Sequence, residues 1–200
     1  RIYTFDSQKA RESQRDNFKM RNVARATSAA PTYLPAAEFE SEAQEKYLFA
    51  DGGIVVNNPS MAAFLRAQAL FPQAEIVHML SLGTGYSKED NLHALKKGGI
   101  VKWVPVISSV IMNGTSDFTH YMLTQRQGSL PDGVFDYMRI QPLLTKNRKG
   151  LDDIDEENLH YLSALTKREI QEKEALFSSL IKKLAAAYET SVPSLMTETR

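Results

Sequence analysis

Residues 47–59 read Tyr47-Leu48-Phe49-Ala50-Asp51-Gly52-Gly53-Ile54-Val55-Val56-Asn57-Asn58-Pro59. A short run of large apolar residues meets an acid and two glycines. A second apolar run follows, and Asn-Asn-Pro closes it. Short apolar runs bounded by glycine read as strands. The Asn-Asn-Pro triplet reads as a helix start. Asparagine can accept the free amide hydrogens of a first turn, and proline fits there because its missing N–H had no partner to lose. Met61, Ala62, Phe64, Leu65, Ala69 and Leu70 then recur at helical spacing up to Pro72. Strand, glycine turn and helix in succession point to a layered α/β fold.

The same pattern returns downstream. Glu75-Ile76-Val77-His78-Met79-Leu80-Ser81-Leu82 is nearly continuous apolar sequence and stops at Gly83-Thr84-Gly85. Phe135-Asp136-Tyr137-Met138-Arg139-Ile140 alternates and stops before Pro142. Continuous apolar strands ending in glycine turns, the 47–50 run among them, predict a parallel sheet covered on both faces. In such sheets chemistry collects at the carboxyl ends of the strands. A short Ala-rich helix is expected over 22–30, ending at Pro31. Asp155-Glu156-Glu157 places negative charge at a helix start, where the macrodipole favours it. Thr166-Lys167-Arg168-Glu169 reads as a capping box opening the last helix. That helix carries Phe177, Leu180, Ile181, Leu184 and Tyr188 on one face, and Pro193 is expected to close it.

Composition excludes several classes. Among the 200 residues there is no cysteine, so thiolate nucleophiles, disulfides and cysteine-held metals are out. The formal net charge is zero, against the basic excess of a dedicated nucleic-acid binder. Residues 1–25 carry a net +4 and residues 151–175 a net −5, both read as solvated faces. The basic segment could otherwise dock acidic lipid or a protein partner. The longest apolar stretch, 100–112, is broken by Lys102 and Pro105 and falls short of the roughly 20 residues that span a bilayer. No signal peptide opens this portion, and the N-terminus reads as the middle of a longer chain. The compartment stays open.

Asp51 is the first chemical candidate. The two glycines remove side chains around its carboxylate, so a substrate or another backbone can approach. Such a carboxylate can take a proton from a hydroxyl or orient one. It can equally begin a turn, since Asp-Gly is a common turn dipeptide. Gly83-Thr84-Gly85 lacks the rest of any phosphate-binding motif and reads as a tight turn. His78, His93, His120 and His160 show no metal-ligand spacing and read as structural or exposed. No G-x-S-x-G is present.

Three segments together resemble the patatin-like phospholipase family. Val23-Ala24-Arg25-Ala26-Thr27-Ser28-Ala29-Ala30-Pro31-Thr32-Tyr33-Leu34-Pro35 is similar to its ARATSAAPTYFPP stretch. Phe49 to Pro59 matches its D-G-G/A motif with the following Asn-Asn-Pro. Leu80-Ser81-Leu82-Gly83-Thr84-Gly85 matches its SLGTG. Weaker likeness continues to about Tyr188.

The resemblance implies a three-layer α/β/α fold with a mostly parallel sheet, a modified α/β-hydrolase type. It implies a lipid acyl hydrolase with a Ser–Asp dyad, no catalytic histidine, no cofactor and no metal. The dyad aspartate maps onto Asp51. Gly52 and Gly53 would give the carboxylate clearance, and Asn57 and Asn58 would cap the next helix. The family's serine and oxyanion loop map onto nothing here. Residues 1–190 are therefore expected to be the C-terminal portion of one catalytic domain, inactive by itself, with a tail at 191–200. The implied partners are a lipid substrate, a membrane surface touched peripherally, and the remaining N-terminal portion of the enzyme, with no nucleic acid. The apolar segment around Trp103 reads as a core helix or as a rim that touches lipid. The alternative is a non-catalytic lipid-binding or storage protein with the same body.

Overall fold

The computed structural model describes residues 1–31, 33–86, 99–145 and 153–195, with the side chains of 100–109 and 189–195 left outside the description. The chain divides into two compact units. One comprises Arg1–Pro59 with Gly98–Phe118, and the other Ser60–Lys97 with Thr119–Arg200.

The first unit is built on an antiparallel hairpin. Strand β1 (Ala37–Glu40) pairs with β2 (Lys46–Phe49), Ala37 opposite Phe49 and Phe39 opposite Tyr47. Side chains alternate across a strand, so Phe39, Tyr47 and Phe49 share one face. Tyr3, Phe5 and Phe18 pack on that face, with ring centroids 5.3 Å apart for Tyr3–Phe49 and 5.8 Å for Phe18–Phe39. Such edge and offset contacts add to simple area burial. The Tyr3 hydroxyl donates to Asp16 Oδ1 at 2.6 Å. Burial, then this bond to a carboxylate, pushes the phenol's pKa well above its ordinary value. Helix α1 (Ser7–Glu12) starts on Asp6, whose carboxylate accepts from the Gln8 and Lys9 amides. Helix α2 (Met20–Thr27) overlaps the expected 22–30 helix, starting two residues earlier and ending at Thr27, ahead of Pro31.

The 47–50 run is a strand, but it is not part of a buried parallel sheet. Leu48 points away from the aromatic face and is 70% exposed. The Tyr-Leu-Phe run looks continuous by hydrophobicity, yet it is used with a period of two. Its partner Ala37-Glu38-Phe39-Glu40 shows the same alternation openly.

The second unit holds the parallel pair. Strand β3 (Val77–Leu82) runs beside β4 (Phe135–Ile140), Val77 opposite Phe135 and Leu82 opposite Ile140. A parallel pair needs a crossover, and helix α4 (Ile100–Gly128) lies between the two strands in sequence. Helix α3 (Ser60–Leu70) follows Asn-Asn-Pro as the sequence predicts. Phe64, Leu123, Phe135 and Tyr137 form the core, with Met61, Val77, Met79 and Leu130 packed against it. Helix α5 (Glu156–Glu172) begins at the acidic triplet.

Two expectations at the C-terminal end are corrected. Thr166 does not open the last helix. It lies inside α5, where its hydroxyl donates back to Leu162 O at 2.9 Å, a bond that mid-helix threonines make readily. Helix α6 (Glu174–Leu195) starts after Lys173 instead, and it runs through Pro193. A proline lacks the N–H that would bond four residues back, and only Ser194 and Leu195 follow it in the helix. The architecture is α/β, with helices, one parallel strand pair and one antiparallel hairpin among the described residues.

Candidate active site

Asp51 stands two residues beyond β2. It caps a short 3-10 turn, Gly52–Ile54. Its Oδ1 accepts from Gly53 N–H at 2.8 Å. Its own N–H donates to Ala29 O at 3.0 Å, and the Val55 and Val56 amides donate to Gly52 O at 3.0 and 2.8 Å. The carboxylate is half-buried. Its Oδ2 has no hydrogen-bond partner among the described residues.

The two glycines are not equivalent. A Cβ on Gly53 would lie 3.3 Å from Asp51 Oδ1 and 3.8 Å from Asn57 Oδ1, so a side chain there would crowd the carboxylate. A Cβ on Gly52 would meet nothing within 4 Å. Asn57 is exposed, whereas Asn58 is 2% exposed. The Asn58 amide nitrogen donates to Ser116 O on α4 at 3.3 Å. Trp103 lies on α4, and its side chain falls outside the described residues, as does His93.

The second glycine segment, 83–85, is braced by side chains. A Cβ on Gly83 would run into the Gln141 amide, and a Cβ on Gly85 would lie 2.9 Å from Leu144. Gly85 has φ +103°, where side-chain-bearing residues are strained. Gln141 Oε1 accepts from Gly85 N–H at 3.4 Å. The tight turn expected from sequence is not formed: Gly83 and Tyr86 N–H donate to Ile140 O and Pro142 O at 2.9 Å, so the chain continues beside the segment after β4 to a parallel bridge between Tyr86 and Leu143.

Sequence reasoning missed two polar clusters in the second unit. Buried Ser81 Oγ accepts from Ser60 Oγ at 2.7 Å and from Arg139 Nη1 at 2.6 Å. His78 and Asp136 sit opposite each other across the parallel ladder, with Nδ1 2.8 Å from Oδ2 but outside hydrogen-bond geometry. Lys183 Nζ donates to the same Oδ2 at 2.7 Å. That bond and the Lys183 charge hold the Asp136 carboxyl below its ordinary pKa against partial burial, with His78 adding to the effect. The only available signal was the register, which one sequence does not reveal. His120 Nδ1 lies 3.1 Å from Tyr137 OH, a structural role like that expected of it. Two open grooves of about 280 and 320 Å³ lie in the second unit; His78 lines the first, and Asp136 and Lys183 line the second.

Comparison with known proteins bears on the family of the chain. The family model described as patatin-like phospholipase matches residues 1–64. Human calcium-independent phospholipase A2-gamma is 31% identical over 153 residues, covering 72% of this chain and 18% of that protein. Patatin-T5 of Solanum tuberosum is 30% identical over 165 residues, covering 72% of this chain and 42% of that protein. Patatin-like protein 1 of Oryza sativa subsp. indica is 28% identical over 165 residues, covering 68% and 39%. The chain belongs to the patatin-like phospholipase family. It spans 18% of the length of the human phospholipase A2-gamma and about two fifths of the plant patatins it matches.

Proposed function

We propose that the protein is a lipid acyl hydrolase that cleaves carboxylic esters of phospholipids or other acyl lipids through a Ser–Asp dyad. Asp51 is the dyad acid, and the serine belongs to a segment N-terminal to this sequence. The observation that carries the reading is the Asp51 carboxylate itself. One oxygen is fixed by a backbone amide and the other keeps its lone pairs. Family membership and the activity named for the phospholipase relatives support the same conclusion.

In the proposed reaction Asp51 Oδ2 takes the proton of the serine hydroxyl as the oxygen attacks the ester carbonyl. A serine hydroxyl is a weak nucleophile until such a base accepts its proton. The proton passes from Asp51 to the leaving alcohol, leaving an acyl-serine. Water then attacks that ester, Asp51 takes a proton from the water, and the serine recovers it as the fatty acid departs. The bare position at Gly53 keeps the carboxylate uncrowded, while Gly52, Asn57 and Asn58 shape the turn that leads to α3. The same reading assigns residues 1–190 to the C-terminal portion of a three-layer α/β/α domain, with 191–200 as tail. It gives Trp103 a peripheral contact with the lipid surface.

The test is hydrolysis of a phospholipid by the whole protein and by Asp51→Asn. A loss of at least about 10³-fold in kcat with an unchanged melting temperature is expected. Turnover retained in Asp51→Asn would overturn the role of Asp51. A wild-type protein that binds lipid and hydrolyses none would favour the storage or binding alternative.

A further inference from the structure

Asp51 is anchored at two levels. Its carboxylate is oriented from within its own turn by Gly53 N–H. Its backbone is tied to the segment after α2 by donation to Ala29 O. Whatever fixes Ala29 therefore fixes the backbone of Asp51. Ala29 is 1% exposed and lies in a series of tight turns, in which Ala30 O accepts from Tyr33 and Leu34 N–H at 3.1 and 2.9 Å.

Arg25 closes that series from outside. It projects from the last turn of α2, and its Nη2 donates to Pro35 O at 2.7 Å, spanning ten residues. Pro35 leads within two residues into β1, whose Ala37 pairs with Phe49, two residues before Asp51. The one Arg25 bond thus bears on both tethers of Asp51, the Ala29 carbonyl and the hairpin. The arrangement opposes stability. Arg25 Nη1 is buried with no hydrogen-bond partner among the described residues, and an unsatisfied buried donor is destabilising. A local rule broken in this way points to a gain elsewhere.

We propose that Arg25 is a positioning residue for Asp51, acting through the 28–35 segment. The proposal rests on Asp51 being the dyad acid. It places no atom of Arg25 on the substrate.

The test measures kcat and KM for a soluble short-chain ester in the whole protein carrying Arg25→Gln, Arg25→Lys, Asp51→Asn, and Arg25→Gln with Asp51→Asn. A displacement of about 1 Å can lower a rate by about 10²-fold. Arg25→Gln is expected to lower kcat about 10- to 100-fold with KM held within about twofold. Arg25→Lys, which can still donate to Pro35 O, is expected to recover at least about tenfold of a full loss. Adding Arg25→Gln to Asp51→Asn is expected to lower the residual rate no further, because residues acting as one unit are not additive. Wild-type kcat in Arg25→Gln, a change confined to KM, or additivity with Asp51→Asn would each overturn the proposal. If Arg25→Gln does not fold, Arg25→Met, which keeps an aliphatic stem but cannot donate to Pro35 O, decides. A lowered kcat at constant KM and melting temperature supports the role, and unchanged kcat overturns it. Full turnover in Asp51→Asn strikes instead at the dyad reading. A dead Asp51→Asn beside a fully active Arg25→Gln strikes at the positioning role alone.

Discussion

Lys183 Nζ and Asp136 Oδ2 meet at 2.7 Å, joining α6 to the parallel strand pair at the residue that also faces His78. The lysine side chain is 43% exposed, so solvent screens much of the attraction. Lys183→Ala is expected to lower stability by about 0.5–1 kcal/mol at neutral pH. The Asp136 pKa is depressed in the folded chain. Its contribution is therefore present above the ordinary carboxylate pKa and lost as pH falls through the folded value. Urea titrations at neutral pH and at about pH 2 should show the difference between wild type and Lys183→Ala vanishing in acid.

Gly83→Ala is expected to destabilise the protein by only about 0.5–1 kcal/mol, because the new methyl group meets the far end of a flexible side chain, the Gln141 amide, which can swing aside. Displacing that amide also removes its bond to Gly85 N–H. The double variant Gly83→Ala with Gln141→Ala should recover part of the loss, since the obstructing group is gone. Equal stabilities for the single and double variants, measured by thermal unfolding, would refute the collision.

Leu123 is fully buried in the second unit's core. Leu123→Ala is expected to cost about 2–5 kcal/mol, from lost transfer energy and the cavity left behind. A shift in the urea midpoint at constant slope would carry that prediction.

Asp51 allows structure and chemistry to be separated. The amide oxygen of Asp51→Asn can still accept from Gly53 N–H, so its stability is expected within about 0.5 kcal/mol of wild type. Asp51→Ala removes the cap of the turn and should cost about 1 kcal/mol. Thermal melts of the two variants should rank them in that order.

Much of this was legible in sequence because it depends on neighbours along the chain. Asn57-Asn58-Pro59 announced α3, the acidic triplet announced α5, and the 135–140 run gave the bounds of β4, although its burial stops alternating after Met138. The misreadings came from choices that partners make. Tyr47-Leu48-Phe49 is apolar throughout, and only the aromatic layer of Tyr3, Phe5 and Phe18 shows which face it buries. Thr166 can cap a helix or bond backwards within one, and α5 continued past it. The meeting of His78, Asp136 and Lys183 depends on strand register and helix docking, which lie beyond local pattern. The Asp51 turn was readable as a motif, but its tie to Ala29 joins residues 22 apart in sequence and belongs to the tertiary structure.

The bond from Gly53 N–H to Asp51 Oδ1 makes the two ends of a symmetric group unlike. A free carboxylate offers either oxygen to a proton with equal readiness. Here the peptide chain has occupied one, so the group has a front and a back before any ligand arrives. In the base proposed for Asp51, the direction in which the carboxylate faces would be set by the backbone that follows it.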